Sequence, residues 1–148
     1  MTNYVQNKKA RFDYEILERF EAGLVLAGYE VKAIRAGKAS LQGSYVVVRG
    51  GEAYLVSTSI AYYQEKNTPE SYEQDRPRKL LLSKKELAKL EAAESQPGLT
   101  IVPIRLYNAG RHIKLEIGIA RGKKQHDKRE AIKDRDSKRD IGRELKWQ

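Results

Sequence analysis

The sequence predicts a mainly β fold: a small, partly open barrel of the OB type, with flanking helices and a basic C-terminal tail that is disordered when free. Three observations predict it. Two stretches, 44–58 and 99–120, each read as a pair of β-rich runs joined by a glycine-containing turn. Five or six short strands fit into the first 120 residues, and a small all-β domain of that size tends to close on itself to remove exposed edges. The last 28 residues, 121–148, carry eleven basic and six acidic side chains but only five apolar ones, Ala131, Ile132, Ile141, Leu145 and Trp147. That is too little apolar surface to offset the entropy of ordering the segment. An open α+β sandwich is the alternative arrangement of the same elements, because periodicity does not fix strand order.

The elements follow in order. Residues 1–11 are polar, with Lys8, Lys9 and Arg11, and read as a flexible basic arm. The barrel domain is expected over 12–120. Phe12, Tyr14 and Ile16 alternate, predicting a long strand over 12–26 that bends near Gly23. Val31, Ile34 and Arg35 have helical spacing, and Gly37 follows as a left-handed cap. SYVVV and AYLVS flank Arg49-Gly50-Gly51-Glu52, a hairpin whose glycine pair supplies the positive φ of a tight turn. Residues 61–79 contain Pro69 and Pro77, lack any period and read as an irregular loop. Ser83-Lys84-Lys85-Glu86 is a capping box that opens a helix carrying Leu87 and Leu90, and Pro97-Gly98 stops it. The second hairpin turns at Asn108-Ala109-Gly110-Arg111. Its returning strand places Ile113, Leu115, Ile117 and Ile119 inward and Lys114 and Glu116 outward.

Composition narrows the function. The formal charge is +9, with a positive excess on both body and tail, which favours a polyanionic partner. No run approaches the roughly 18 apolar residues of a membrane span, and the N-terminus lacks the apolar core of a signal peptide. With no cysteine there is neither a disulfide framework nor a thiolate metal site, as suits a cytoplasmic protein. The two histidines, His112 and His126, stand in no metal-ligand spacing. No nucleophile elbow or phosphate loop is present, so no enzyme, cofactor or metal is expected.

RNA binding is better supported. Lysines and arginines neutralise phosphates, and nine tyrosines and two phenylalanines offer stacking faces for unpaired bases. Tyr62, Tyr63 and Tyr72 lie in the polar loop, where they either stack on RNA or staple the loop down. Tyr14, Tyr45 and Tyr54 read as core or barrel wall. Glu21, next to Phe20 and Ala22, is placed either to accept from a base amino group or to cap its own bend. In the tail, Glu130/Lys133, Asp134/Lys138, Asp136/Arg139 and Asp140/Arg143 pair at helical spacing with the acid first. Each pair contributes about 0.2–0.5 kcal/mol, enough to favour a helix once docked but not to hold one free. No apolar stripe wide enough for a membrane surface accompanies them.

Five ordered blocks, NKKARFDYEI, FEAGLVLAGYEVKAIRAGKASL, GSYVVV, RPRKLLLSKKEL and RGKKQHDKRE, resemble the SsrA-binding protein family, also called small protein B. The resemblance runs from about Asn7 to Leu145 and implies an OB-type barrel that is not an enzyme. It implies binding to the tRNA-like domain of transfer-messenger RNA and its delivery to ribosomes stalled on mRNA lacking a stop codon. It also implies two further partners: small-subunit rRNA of the stalled 70S ribosome, and elongation factor Tu carrying the alanyl-charged RNA. By motif position, Asn7, Glu21 and Lys114 match RNA-binding positions of the family, and Arg11, Arg35 and Lys38 lie in matching blocks and suit phosphate contact. In the tail, Gly122, Lys123, Lys124, His126, Asp127, Lys128 and Arg129 match the segment that acts at the decoding centre. Ile141 and Leu145 would be the apolar contacts of a helix formed in the empty mRNA channel. Phe12 stands where many members carry His, and Gly142 weakens that distal helix by about 1 kcal/mol relative to Ala. The rival reading is a general ribosome-associated or assembly factor that binds rRNA through an OB domain and basic tail.

Overall fold

The computed structural model describes residues 3–62 and 68–123. Every element expected between residues 14 and 120 is present, in the expected order. β1 (Asn3–Gln6) and α1 (Lys8–Asp13) precede β2 (Tyr14–Leu24), α2 (Gly28–Arg35), β3 (Ala39–Ser40), β4 (Tyr45–Arg49) and β5 (Glu52–Val56). β6 (Ser59–Ile60), β7 (Arg78–Leu81), α3 (Lys84–Glu94), β8 (Leu99–Ala109) and β9 (His112–Gly122) complete the body. Seven strands form one antiparallel sheet in the order β1-β8-β9-β2-β7-β5-β4, and β3 pairs with β6.

The sheet curls into the expected partly open barrel. β4 returns to lie beside β8 without laddering to it, and α3 packs against both strands at that opening. The open edge is closed by chemistry as well. Glu94, at the end of α3, accepts the Val48 N–H at 3.0 Å and the Arg49 guanidinium at 2.9 Å, satisfying edge donors that no strand reaches. Ser83 and Glu86 form the predicted capping box. Inside, Leu115, Ile117, Leu55, Leu80, Leu41 and Leu90 are almost fully buried, with Ile113 and Ile119 on the same face of β9. The first hairpin turns on Gly50 and Gly51, with φ +61° and +74°, and Gly37 ends α2 at φ +77°.

Several expectations need correction. Residues 3–11 are not an arm: β1 adds to the free edge of β8, and α1 buries Ala10 against Val102, Ile104 and Ala120 while its basic residues stay outside. A six-residue helix is too short to show a period, and its lysines masked it. Phe12 therefore lies in α1 and not in the first strand. β2 is broken not by a bend at Gly23 but by a bulge between Ile16 and Glu18. The second hairpin turns on Gly110-Arg111 alone, since Ala109 still pairs with His112. At the other end, β9 runs through Gly122. Lys123 is fastened to the body, its N–H to the Asp13 carbonyl at 2.8 Å and its Nζ to the Arg11 carbonyl at 3.1 Å. Residues 124–148, with Lys124, His126, Asp127, Lys128, Arg129, Ile141 and Leu145, lie outside the described residues, as does Tyr63.

The polar loop folds around a buried core of its own. Tyr72 is buried, its ring edge-on to Tyr29 and Tyr62 at 5.1 and 5.6 Å, so it staples the loop and offers no stacking face. Burial pushes its phenol up to about 12. Beneath it, Arg78 and Glu30 form a fully buried ion pair at 2.7 Å. Tyr45 is exposed, contrary to its reading as barrel wall, whereas Tyr14 and Tyr54 are half-buried. Among the described residues no helix is long and apolar enough to cross a membrane.

Candidate nucleic-acid interface

α2 crosses one end of the barrel, where β2 ends and the β8–β9 turn begins. Arg35, in its last turn, donates to the Arg111 carbonyl at 3.2 Å and so pins the helix to that turn. Between them lies an open cleft of about 380 Å³. Leu24, Leu26, Val31 and Ile113 provide apolar surface; Arg35, Arg111, His112 and Lys114 provide the polar rim. At Gly23 the strand passes β7 so closely that a Cβ would sit 3.2 Å from Leu81 Cβ. Leu81 turns outward at the cleft's edge, 53% exposed.

The electrostatics fit an anionic ligand with unpaired bases. The side chains of Arg111, His112 and Lys114 make no ion pair or hydrogen bond among the described residues, so the charges of Arg111 and Lys114 and the donors of the cleft rim are available. Cations rimming an apolar recess suit phosphate on the rim and a base on the floor. β2 continues the surface: Gly23 lies opposite Lys114, and Glu21, two residues earlier on the same face, lies opposite Glu116. Glu21 is exposed and accepts a hydrogen bond from the Tyr107 hydroxyl.

Of the six positions expected to meet RNA on the body, the fold brings three together: Arg35 and Lys114 in the cleft and Glu21 beside it. Lys38 lies past the end of α2, its Nζ 3.5 Å from the Tyr62 carbonyl, and does not line the cleft. Arg11 sits in the last turn of α1, beside Lys123 and Gly122 at the root of the tail. Asn7 has a structural task. Its Oδ1 caps α1 by accepting from the Ala10 N–H at 3.2 Å, while its N–H and Nδ2 donate to the Ile104 and Pro103 carbonyls at 2.8 and 2.9 Å. Those carbonyls sit at the bulge between Pro103 and Arg105, where β8 tolerates a proline. Asn7→Ala is therefore expected to lower stability by about 1–2 kcal/mol, read by urea denaturation. Asn7→Asp, which keeps the cap, should lose less.

Sequence reasoning missed three cleft residues. Arg111 and His112 read as turn and surface hairpin, and nothing in their spacing marks them as partners of Arg35, 76 positions earlier. Leu81 was hidden in the run Leu80-Leu81-Leu82; strand alternation within that run was the available signal, since one of the three must face out.

The family model described as SmpB protein matches residues 4–147. The SsrA-binding protein of Synechococcus sp. (strain JA-3-3Ab) is 49% identical over 142 residues, covering 96% of this chain and 92% of that protein. The SsrA-binding protein of Chelativorans sp. is 50% identical over 147 residues, covering 99% of this chain and 94% of that protein. A solved structure described as "tmRNA-SmpB: a journey to the center of the bacterial ribosome" superposes with a TM-score of 0.67. It shares 44% identity and covers 86% of this chain and 92% of that one.

Proposed function

The chain belongs to the SmpB protein family, and on that premise we propose that it binds transfer-messenger RNA and works with it on ribosomes in trans-translation, as an RNA-binding adaptor without chemistry of its own. The observation that carries the reading is the cleft: cations with no ion pair among the described residues around an apolar recess, with an acceptor, Glu21, on the adjoining strand face. The tRNA-like domain is the part of the RNA that fits, because its loops offer unpaired bases beside closely spaced phosphates. Arg35, Arg111 and Lys114 take phosphates, and the recess takes an unstacked base.

The remaining roles follow from this division. Arg11, Gly122 and Lys123 mark where the tail leaves the body, on α1 and away from the cleft lining. The tail, with His126, Asp127, Lys128 and Arg129 first and Ile141 and Leu145 later, engages small-subunit rRNA at the decoding centre and the vacant mRNA channel. The adaptor arrives in the cytoplasm with alanyl-charged transfer-messenger RNA and elongation factor Tu, at ribosomes stalled without a stop codon.

Lys114→Ala tests the cleft. Its Nζ is unpaired among the described residues, so the substitution should leave the fold intact. The slope of log affinity against log salt for the tRNA-like domain should fall by about 0.7–0.9, one phosphate contact. An unchanged slope would remove Lys114 from the phosphates.

A further inference from the structure

Beside the cleft, β2, β9 and β8 array polar side chains in a grid. Glu21 lies opposite Glu116 across one ladder; across the next, Arg105 lies opposite Glu116 and Tyr107 opposite Lys114. The two glutamates have different surroundings. Glu116 collects both local guanidiniums on Oε1, Arg19 at 3.2 Å and Arg105 at 3.3 Å. Glu15, Glu18 and Glu52 also have cationic partners. Glu21 has none among the described residues, although it is exposed on a strongly basic chain.

The partner Glu21 does have is a neutral donor. The Tyr107 hydroxyl reaches across β9 to its Oε2. Tyr107 is itself held still: it is 3% exposed, and the Arg105 guanidinium lies 4.1 Å from its ring centre. Arg105 is fixed in turn by Glu116. Burial, and then the bond to Glu21, push the Tyr107 phenol well above its ordinary value, so it keeps its proton and remains a donor.

We infer that Tyr107 is the positioning residue for Glu21, fixing the carboxylate so that its second oxygen, Oε1, is presented to an exocyclic amino group of an unpaired base in the bound RNA. A carboxylate in a phosphate-binding surface repels the backbone. It favours binding only where it meets a donor, and the amino groups of cytosine, adenine and guanine are such donors. An arginine partner would occupy and neutralise that acceptor; a tyrosine hydroxyl fills one oxygen and leaves the charge in place. Glu116, by gathering Arg19 and Arg105, keeps both cations off Glu21.

The inference rests on the reading that this face binds the tRNA-like domain, and the test separates the two. Binding is measured for transcripts in which single unpaired guanosines, adenosines and cytidines are replaced by analogues lacking the amino group. With the wild-type protein, one position should cost about tenfold in affinity, as expected for a hydrogen bond to a charged acceptor. Glu21→Ala should bind the parent and that analogue equally. Tyr107→Phe should keep its fold and salt slope but shrink the penalty to less than about threefold, since the carboxylate then loses its orientation. Glu21→Gln supplies a second check: Tyr107 donates to the amide oxygen and turns the amide nitrogen toward the base, so the analogue should bind at least as well as the parent. A purely structural Tyr107 would weaken all transcripts alike. Retention of the full penalty in Tyr107→Phe overturns the positioning role, and absence of any sensitive position in the wild type overturns the amino contact. Failure to bind the unmodified transcript would instead overturn the functional reading beneath it.

Discussion

Arg78→Ala is expected to lower the unfolding free energy by about 3–5 kcal/mol, the cost of leaving a buried charge without its partner. Arg78 is fully buried on β7 and makes five hydrogen bonds to four acceptors. Two of its bonds go to Glu30 Oε2, at 2.9 and 2.7 Å. The others reach the Thr58 carbonyl at 2.6 Å, the Tyr72 hydroxyl at 3.0 Å and the Gln74 carbonyl at 2.9 Å. One side chain thus ties together α2, the segment after β5 and the polar loop. Without it, Glu30 stays buried with Arg76 as its only cation among the described residues. Against a total of about 5–15 kcal/mol for a domain, that loss is large. Replacing both Glu30 and Arg78 with Met should cost less than Arg78→Ala alone, because no fully buried charge is stranded and the remaining cation, Arg76, is partly exposed. Urea unfolding measures both, and a loss below about 1 kcal/mol for Arg78→Ala would contradict the account.

The same pair sets an acid limit. Burial alone would raise the Glu30 carboxyl. The Ala27 N–H and the Arg76 and Arg78 guanidiniums outweigh it and hold the group below its ordinary 4.5. The folded value being the lower one, its contribution is present above pH 4.5 and is lost as pH falls through the depressed folded value. The consequence reaches the cleft, because Glu30 holds α2 in place and α2 carries Val31 and Arg35. Acid should therefore weaken RNA binding and stability together.

Removing residues 124–148 is expected to abolish tagging of stalled peptides while leaving affinity for the tRNA-like domain within about threefold, less than 1 kcal/mol. The cut falls after the last described residue, Lys123. Lys123 keeps both of its bonds to α1, β9 keeps its full ladder with β2, and the described residues that line the cleft all remain. Filter binding and a tagging assay on stalled ribosomes read the two effects separately. A drop in RNA affinity beyond tenfold would mean that the tail, and not the cleft, supplies much of the binding.

What the sequence discloses follows local physics. Gly50-Gly51, the Ser83/Glu86 box and the alternation of Ile113, Leu115, Ile117 and Ile119 are read correctly because each is decided within a few residues. β1 and α1 escape notice because their reason is remote: they cover β8 and Ile104, about 100 positions later. The cleft is half legible for the same reason. Arg35 and Lys114 lie in recognisable blocks, but Arg111, His112 and Leu81 become neighbours of Arg35 only through the barrel's closure. Asn7 carries more than its block discloses: expected at the RNA, it also caps a helix and clamps a bulge, a task set by Pro103 and Ile104 about 100 positions later. Glu30 and Arg78, charged and unremarkable in sequence, form a buried pair that ties α2 to β7 and the polar loop, because pairing lets them be buried.

The central claim, that this basic cleft recognises one tRNA-like RNA and not RNA at large, is tested most directly by recovery from cell extract. The tagged full-length chain, washed at physiological salt, should return transfer-messenger RNA enriched far above its share of the extract, and Lys114→Ala should recover less of it. Recovery of bulk rRNA with no such enrichment would contradict the claim and favour a general rRNA-binding factor.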